Sequence, residues 1–365
     1  MSSRSVVVLG GDCTSLVVAG RLALDGHRVL VWEAPLTPGS ILMPGDQQRL
    51  ALRGVGGEAD VTLASTSDLF AALAASDVLL TCAPPHTQAA FADRVLPLIE
   101  PRHVLVLLPG RLGSLSFAKW LRDRGRQDLP TLVESDVAPF AGRLLAPGRL
   151  DVFAVAQRPG FGVYPASRTE PAMALLADLF PDSRAYPHVL AAALASVEPF
   201  VRAPALLMNA AAAEQAGPES VFPHGFTTGA ARVAETVDNE RLTLAAALGL
   251  TLPAAAEALH GWGLSPRGDL WSAVHGSLAL TRAAEQSTPA ELAIDDVAFG
   301  LRVWVALADQ LGVPLPVCRS LCALFAASSE ATQDSGRTLD DLGVAGLSVA
   351  GLDRLLTQGS DEPAA

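Results

Sequence analysis

Short runs of branched apolar residues alternate with helical patterns through the first half of the chain. The runs occupy residues 6–9, 28–32, 78–82 and 103–108, and a helical pattern follows the first of them through Leu24. This alternation predicts a doubly wound parallel sheet, in which helices connect neighbouring strands. Pro84-Pro85 and Pro109-Gly110 close two of the strands, at the end where open α/β sheets bind their ligands.

The pattern changes near Pro187, where long segments rich in Ala and Leu replace the short apolar runs. Residues 191–195, 230–248 and 297–311 are the clearest of these segments. A chain of 365 residues has the length of two ordinary domains. The sequence therefore predicts an α/β sheet domain over residues 1–185 and an all-helical domain over residues 186–365, with a ligand cleft between them.

Composition and charge narrow the classes of partner. The formal net charge is −12, and no basic stripe is present to neutralise phosphates, which argues against nucleic-acid binding. No apolar run approaches the roughly 18 residues of a membrane-spanning helix, and no signal peptide is recognisable, so we expect a cytoplasmic protein without a membrane partner. The four cysteines lack the spacing of a metal site. These features favour a small-molecule substrate and leave a homodimer open.

Residues 8–33 follow the order of a dinucleotide-binding βαβ unit: a strand, a tight turn, a helix, a second strand and an acid at its end. The usual G-x-G-x-x-G signature would place glycines at positions 10, 12 and 15. This chain has Gly10, Gly11, Asp12 and Ser15 instead. Glu33 is placed to bind ribose hydroxyls and to favour NAD over NADP, although an acid at the end of a strand is equally an exposed loop residue.

Asp12 is the departure with the largest expected effect on a dinucleotide, because the second glycine normally lets the backbone touch the pyrophosphate. Like charges about 4 Å apart at an effective dielectric near 20 repel by about 4 kcal/mol. Alternatively, Asp12 is the N-cap of the first helix and accepts a hydrogen bond from the amide of Thr14 or Ser15. Because both interpretations weaken cofactor binding, we expect no cofactor, or NAD(P)H that is held only weakly.

Segments spread over nearly the whole chain resemble the octopine and nopaline dehydrogenases, which form the opine dehydrogenase family. They are residues 76–84 (SDVLLTCAP), 104–113 (VLVLLPGRLG), 237–249 (VDNERLTLAAALG), 295–301 (DDVAFGL) and 336–343 (GRTLDDLG). Their order and spacing make the resemblance specific. It implies a Rossmann-like doubly wound parallel sheet followed by an all-helical C-terminal domain. It also implies reduction, with NAD(P)H, of the imine formed between an amino acid and a 2-oxo acid.

The catalytic stretch implied by the resemblance departs from the family pattern. The family's Asn-x-Asn-x-x-x-His-Pro corresponds to SVEPFVRA at residues 196–203, so both asparagines are absent and Arg202 stands in place of the acid/base histidine. The partner aspartate of that histidine resembles Asp296, and an arginine that can hold a substrate carboxylate falls at Glu291. Because arginine stays protonated at any useful pH, Arg202 cannot exchange protons as histidine does.

His224 is the histidine that could take over the missing proton transfer. His224 stands where the family usually has an acid, and it would titrate near neutrality, so it is the first candidate for a proton shuttle. A histidine beside Pro and Gly is alternatively a turn residue that hydrogen-bonds to backbone. Asp296 would orient His224 or act as the base. His86, which follows Pro84-Pro85, would face the same cleft.

The charged residues of the catalytic stretch also have two interpretations. Arg202 would hold an anionic oxygen, and Glu198 would be a second acid/base group, or the two would simply form an ion pair.

The joint loss of the phosphate-loop and catalytic patterns favours an enzyme on an opine dehydrogenase scaffold that performs a non-redox acid/base step in specialised metabolism. Cyclisation, condensation and isomerisation are steps of this kind. The alternative is an NAD(P)H-dependent imine or ketone reductase with an atypical substrate. A non-catalytic binding protein is a third hypothesis.

Overall fold

The computed structural model describes residues 2–33, 47–217, 220–283, 288–328 and 335–360. The chain divides into two compact units. The sheet unit comprises Met1–Ala83 and Thr87–Val189, and the helical unit comprises Pro84–His86 and Leu190–Ala365. The fold class predicted from the sequence, a Rossmann-like sheet region followed by a helical region, is confirmed.

The sheet unit is organised around a mixed sheet, in which eleven strands are described. The strands are β1 Ser5–Leu9, β2 Arg28–Trp32, β3 Gln47–Gly54, β4 Ala59–Thr66, β5 Val78–Thr81, β6 Val104–Leu107, β7 Thr131–Ser135, β8 Phe140–Ala146, β9 Arg149–Val155, β10 Gly160–Tyr164 and β11 Arg184–Ala185. Their order across the sheet is β11-β10-β7-β6-β5-β1-β2-β4-β3-β9-β8.

The centre of the sheet is parallel, as the alternating pattern predicts. Strands β7, β6, β5, β1, β2 and β4 are neighbours in parallel pairs, whereas β3, β8 and β10 each join an antiparallel pair. β1 lies between β2 and β5, so the chain adds strands first on one side of β1 and then on the other. The resulting crevice at the carboxyl ends of β1 and β5 is where open α/β sheets bind ligands.

Helices cover this sheet and explain its apolar sequence. They are α1 Cys13–Leu24, α2 Leu69–Ala75, α3 Gln88–Val95, α4 Gly113–Asp123 and α5 Thr169–Leu179. Val6, Val7 and Val8 of β1 are at most 1% exposed. A strand buried on both faces reads as a continuous apolar run rather than an alternating one, which is why β1 is recognisable from sequence.

One segment that carries the family resemblance, residues 104–113, has a structural explanation. The buried carboxylate of Glu134 accepts hydrogen bonds from the amides of Leu112 (2.9 Å) and Ser114 (2.7 Å) at the start of α4. A Cβ atom at Gly110 would lie 2.4 Å from the Cδ atom of Glu134. The glycine is therefore required for the close approach of backbone and carboxylate.

The helical unit contains no strand among its described residues. Its helices are α6 Val189–Ala195, α7 Glu198–Met208, α8 Ala210–Ala216, α9 Thr228–Ala247, α10 Ala255–Gly261, α11 Leu270–His275, α12 Leu278–Ala283, α13 Pro289–Ala293, α14 Arg302–Leu311, α15 Pro316–Ser328 and α16 Val349–Gln358, and a π-helical segment, Ile294–Leu301, follows α13 directly. By length and composition the stretch Val189–Met208 passes as a membrane span, but 94% of its apolar window is buried inside the fold. That burial is typical of core helices.

A buried polar network on α9 accounts for a second family segment, residues 237–249. Arg241 is fully buried and donates to the Asp238 carboxylate (2.7 Å) and to the carbonyl oxygens of Leu194 (3.1 Å) and Pro253 (2.6 Å). Asp238 also accepts a hydrogen bond from the amide of Ala255 (2.7 Å). The network ties α6, α9 and the start of α10 together, so this segment is structural.

Replacing Arg241 by Leu should destabilise the protein strongly, because the Asp238 carboxylate would remain buried without its counter-charge. We expect a loss of about 3–5 kcal/mol in the free energy of unfolding, measured by urea denaturation. The matched control is Arg232→Leu, an exposed arginine on the same helix, which should change stability by less than about 0.5 kcal/mol. Equal effects of the two substitutions would contradict the structural role of the network.

Candidate functional site

The turn after β1 is closed by Asp12. The backbone of Asp12 is extended, with φ −74° and ψ 170°, and its side chain caps α1. Its carboxylate accepts hydrogen bonds from the Ser15 amide and the Ser15 hydroxyl, each at 3.0 Å. A Cβ atom at Gly10, where φ is +149°, would lie 2.6 Å from the Ser15 Oγ atom. The N-cap interpretation is confirmed, and Ser15 provides both partners.

Glu33 lies under the same turn and is not an exposed loop residue. Its side chain is 2% exposed, and neither carboxylate oxygen has a hydrogen-bond partner among the described residues. A Cβ atom at Gly11 would lie 2.3 Å from the Oε1 atom, so the carboxylate is packed against the glycine backbone. Burial raises the pKa of Glu33. A buried acceptor pair without a donor is costly, which marks Glu33 as the group with the strongest need for a ligand hydrogen bond.

Two cysteines that were not candidate site residues, Cys13 and Cys82, interact with Asp12. Burial and the negative charge of Asp12 raise the pKa of Cys82, and a hydrogen bond with Ser15 only partly offsets them. Burial and the same charge raise the pKa of Cys13 to about 11. Both thiols therefore stay protonated near neutral pH, where they act as small neutral groups beside the turn.

In the helical unit, Arg202 and Asp296 form a bidentate ion pair. The Arg202 Nε atom lies 2.8 Å from Asp296 Oδ2, and Nη2 lies 2.7 Å from Oδ1. Arg202 is on α7, Asp296 is in the π-helical segment, and the two residues are 8% and 0% exposed. A side-by-side guanidinium–carboxylate contact at this burial fixes both side chains.

Glu198 is a secondary partner of the pair. Its carboxylate lies 3.5 Å from Arg202 Nη2, one helical turn away on α7. Burial lowers the pKa of Arg202, but the charges of Asp296 and Glu198 raise it more, so the guanidinium remains charged. Three of the four residues proposed as a site from sequence are thus brought together: Arg202, Asp296 and Glu198. Their arrangement is an ion-pair cluster rather than a proton-transfer pair.

A second pair is formed by the neighbouring aspartate. Asp295 Oδ1 lies 2.9 Å from His86 Nδ1 and accepts a hydrogen bond from the His86 amide at 3.0 Å. Both residues belong to the helical unit. Sequence reasoning missed Asp295 as a partner of His86. The available signal was that consecutive residues of a helix point about 100° apart, so Asp295 and Asp296 cannot share one partner.

His224, the fourth proposed residue, lies on an exposed turn between α8 and α9. Among the described residues, no hydrogen bond or ion pair joins His224 to Asp296. Glu291, which falls where the resemblance implies a substrate-binding arginine, forms a capping box with Thr288 at the start of α13. The Glu291 Oε2 atom accepts from the Thr288 amide (2.8 Å) and hydroxyl (2.9 Å), so this carboxylate has a structural task.

Comparisons with known proteins agree with the resemblance in the sequence. Residues 185–329 match the family model described as NAD/NADP octopine/nopaline dehydrogenase, alpha-helical domain. The chain is 29% identical over 363 residues to an opine dehydrogenase of Arthrobacter sp. (strain 1C), covering 96% of this chain and 98% of that protein.

Solved structures show the same fold. A structure of octopine dehydrogenase in complex with NADH and agmatine matches with a TM-score of 0.70 and 17% identity, covering 98% of both chains. A structure of yersinopine dehydrogenase with bound NADP+ matches with a TM-score of 0.65, 17% identity and the same coverage.

The expectation that no cofactor binds is wrong, because these relatives are dehydrogenases and two of the structural neighbours hold NADH or NADP+. That expectation treated Asp12 as incompatible with a bound phosphate both when its charge faces the pyrophosphate and when its side chain caps α1. In the structure the carboxylate is folded back onto Ser15, whose amide and hydroxyl both donate to it. The two Glu33 oxygens, which have no donor in the described part of the chain, have the chemistry to accept hydrogen bonds from two adjacent ribose hydroxyls.

Replacing Arg202 by Leu should destabilise the fold by about 3–5 kcal/mol, because Asp296 would be left buried and unpaired. The double substitution Arg202→Leu with Asp296→Leu should recover much of that loss. Glu198→Gln, which removes the longer and more exposed contact, should cost at most about 1 kcal/mol. Urea denaturation of the four proteins measures these differences. A double variant no more stable than Arg202→Leu would contradict the description of the pair.

Proposed function

We propose that the chain, which is similar to opine dehydrogenases over nearly its whole length, is an NAD(P)H-dependent reductase of an imine or a ketone. The observation that carries the proposal is the buried carboxylate of Glu33, which has two acceptor oxygens and no donor among the described residues. A protein that used its sheet only as a scaffold would gain nothing from such a group, since an unsatisfied buried polar atom costs about 1–3 kcal/mol.

The position of Glu33 favours NADH over NADPH. The residue follows β2, lies against Gly11 of the turn after β1, and so occupies the place of the ribose-binding acid in dinucleotide-binding folds. The 2′- and 3′-hydroxyls of NADH would donate to the two oxygens. The 2′-phosphate of NADPH would bring a second negative charge against the carboxylate, and this repulsion is strong where water is excluded.

The reduced nicotinamide supplies a hydride to the carbon of a C=N or C=O bond, and the chain supplies binding groups and the balancing proton. Arg202 cannot supply that proton, because Asp296 and Glu198 hold its guanidinium in the charged form. Its Nη1 atom takes no part in the contacts with these acids. We assign to Arg202 the recognition of an anionic oxygen on the substrate through this atom.

We propose that the protein has no group at α13 that would bind a carboxylate of the amine substrate. Glu291 stands where the resemblance implies a carboxylate-binding arginine, and its oxygens are engaged by Thr288. An acid at this position repels a carboxylate and attracts an ammonium group. Octopine dehydrogenase has been solved both with agmatine, a cationic amine, and with L-arginine. Among such compounds, the amine is the better match to Glu291.

The non-redox hypothesis has less support than the reductase hypothesis. It depended on the loss of cofactor binding through Asp12, which is corrected above. The curated relative is a dehydrogenase, and the solved structures that match include ketopantoate reductases as well as opine dehydrogenases.

Titration with NADH and NADPH tests the proposal. We expect the unaltered protein to bind NADH more tightly than NADPH. Glu33→Gln should weaken NADH binding by about 10- to 100-fold, because hydrogen bonds to a charged acceptor contribute about 1.5–3 kcal/mol each. Isothermal titration calorimetry gives both dissociation constants.

The matched control is Glu58→Gln, which removes an exposed acid of the sheet unit and should leave both constants unchanged. Absence of NADH and NADPH binding to the unaltered protein would refute the reductase. Equal NADH affinities of the unaltered protein and Glu33→Gln would remove Glu33 from the cofactor site.

A further inference from the structure

The His86 ring is held in a defined orientation at the surface of the helical unit. The residue lies in a short 3₁₀ turn, Pro85–Thr87, and contacts Asp295 through both its amide and its Nδ1 atom. An ionised carboxylate only accepts hydrogen bonds, so Nδ1 carries the hydrogen atom of this contact. The Nε2 atom is then the basic nitrogen of the neutral ring. The His86 side chain is 31% exposed, whereas that of Asp295 is 13% exposed.

Asp295 is the acid that can orient His86, because its neighbour Asp296 is paired with Arg202. Asp296 uses both oxygens to bind Arg202 and is fully buried, so it cannot orient a histidine. Asp295 lies in the same π-helical segment and is less buried than Asp296. Its partner is His86, a histidine, and histidine is the residue type that titrates near neutral pH. The π-helical segment thus presents one aspartate to a permanent cation and the next to a histidine.

We propose that His86, oriented by Asp295, donates and accepts the proton of the reductase reaction. The assignment rests on the proposed function, because it names the acid/base group of that same reaction. His86 is the catalytic residue and Asp295 is its positioning residue. An aspartate that accepts from Nδ1 and leaves Nε2 free is the arrangement by which histidine performs general acid/base catalysis.

The step balances without a further reactant. The substrate C=N or C=O carbon gains a hydride, with two electrons, from NAD(P)H, which becomes NAD(P)+. The substrate nitrogen or oxygen gains a proton from the Nε2 atom of the His86 imidazolium as the π bond breaks. The neutral imidazole then recovers a proton from water, to which its ring is open. Asp295 exchanges no proton in this scheme, and the reverse reaction uses neutral His86 as the base.

The charges around His86 favour its acid form. The hydrogen bond with Asp295 raises the pKa of His86, burial lowers it in part, and the negative charges of Asp295 and Glu291 raise it again. Arg202, a permanent positive charge, interacts with Asp295 as well as with Asp296. Because the pKa is raised, the imidazolium persists to higher pH. Reduction should therefore proceed below this pKa and decline as the pH rises through it.

The experiment compares His86→Gln, Asp295→Asn, His224→Gln and the matched control His260→Gln, an exposed histidine of the same unit that contacts the Ser265 carbonyl oxygen. His86→Gln should lower kcat/KM for reduction by about 10²- to 10⁴-fold while the Kd for NADH is unchanged. Asp295→Asn should move the alkaline limb of the kcat/KM profile to lower pH. His260→Gln should behave as the unaltered protein.

A second measurement does not depend on turnover. NMR titration of the histidine rings should show His86 protonated to a pH above the usual histidine pKa of about 6.5, with the hydrogen on Nδ1 in the neutral ring. Asp295→Asn should lower that pKa. A His86 pKa at or below the usual value, or full activity of His86→Gln with loss in His224→Gln, would overturn the assignment. Failure of the proposed function would instead appear as absent NADH and NADPH binding.

Discussion

The buried ion pair of Arg202 with Asp296 is the interaction on which the chemistry of the helical unit depends. It joins α7 to the π-helical segment across 94 positions of sequence, and neither partner can lose its charge without leaving the other unpaired. An aspartate held in this way is not available to orient a proton-transfer group. The pair therefore determines which of the two neighbouring aspartates remains available to His86, and Asp295, the proposed positioning residue, is that acid.

In the sheet unit, too, the contacts of each acid within the fold determine whether it is available to a ligand. Asp12 introduces a negative charge into a turn that binds phosphate in related folds, and two hydrogen bonds from Ser15 hold its carboxylate locally. Glu33, in contrast, has no local donor among the described residues and is nearly fully buried. The fold alone accounts for the contacts of the Asp12 carboxylate. The Glu33 carboxylate, rather than the number of glycines, is the feature that supports the proposed dinucleotide site.

The sequence predicted the architecture well because the architecture depends on local patterns. Buried parallel strands and Ala-rich helices are visible as runs and periodicities, and β1 and α9 were recognised in this way. The pairing of His86 with Asp295 was missed, since the two residues are 209 positions apart and only the tertiary structure brings them into contact. The burial of Glu33 was equally hidden, because the same acid in the same sequence would suit an exposed loop. Residue types in the sequence identified the candidate site residues, and only the contacts in the structure showed how each of them is paired.

The reaction proposed for this protein transfers a hydride rather than only protons. In the most direct test, the unaltered protein is incubated with NADH carrying deuterium at C4, with 2-oxo acids, and with a set of cationic amines and amino acids. The products are analysed by mass spectrometry. We expect a secondary amine that contains one deuterium at the former carbonyl carbon, formed best from the amines. A product that accumulates without deuterium, at a rate independent of NADH, would contradict the claim.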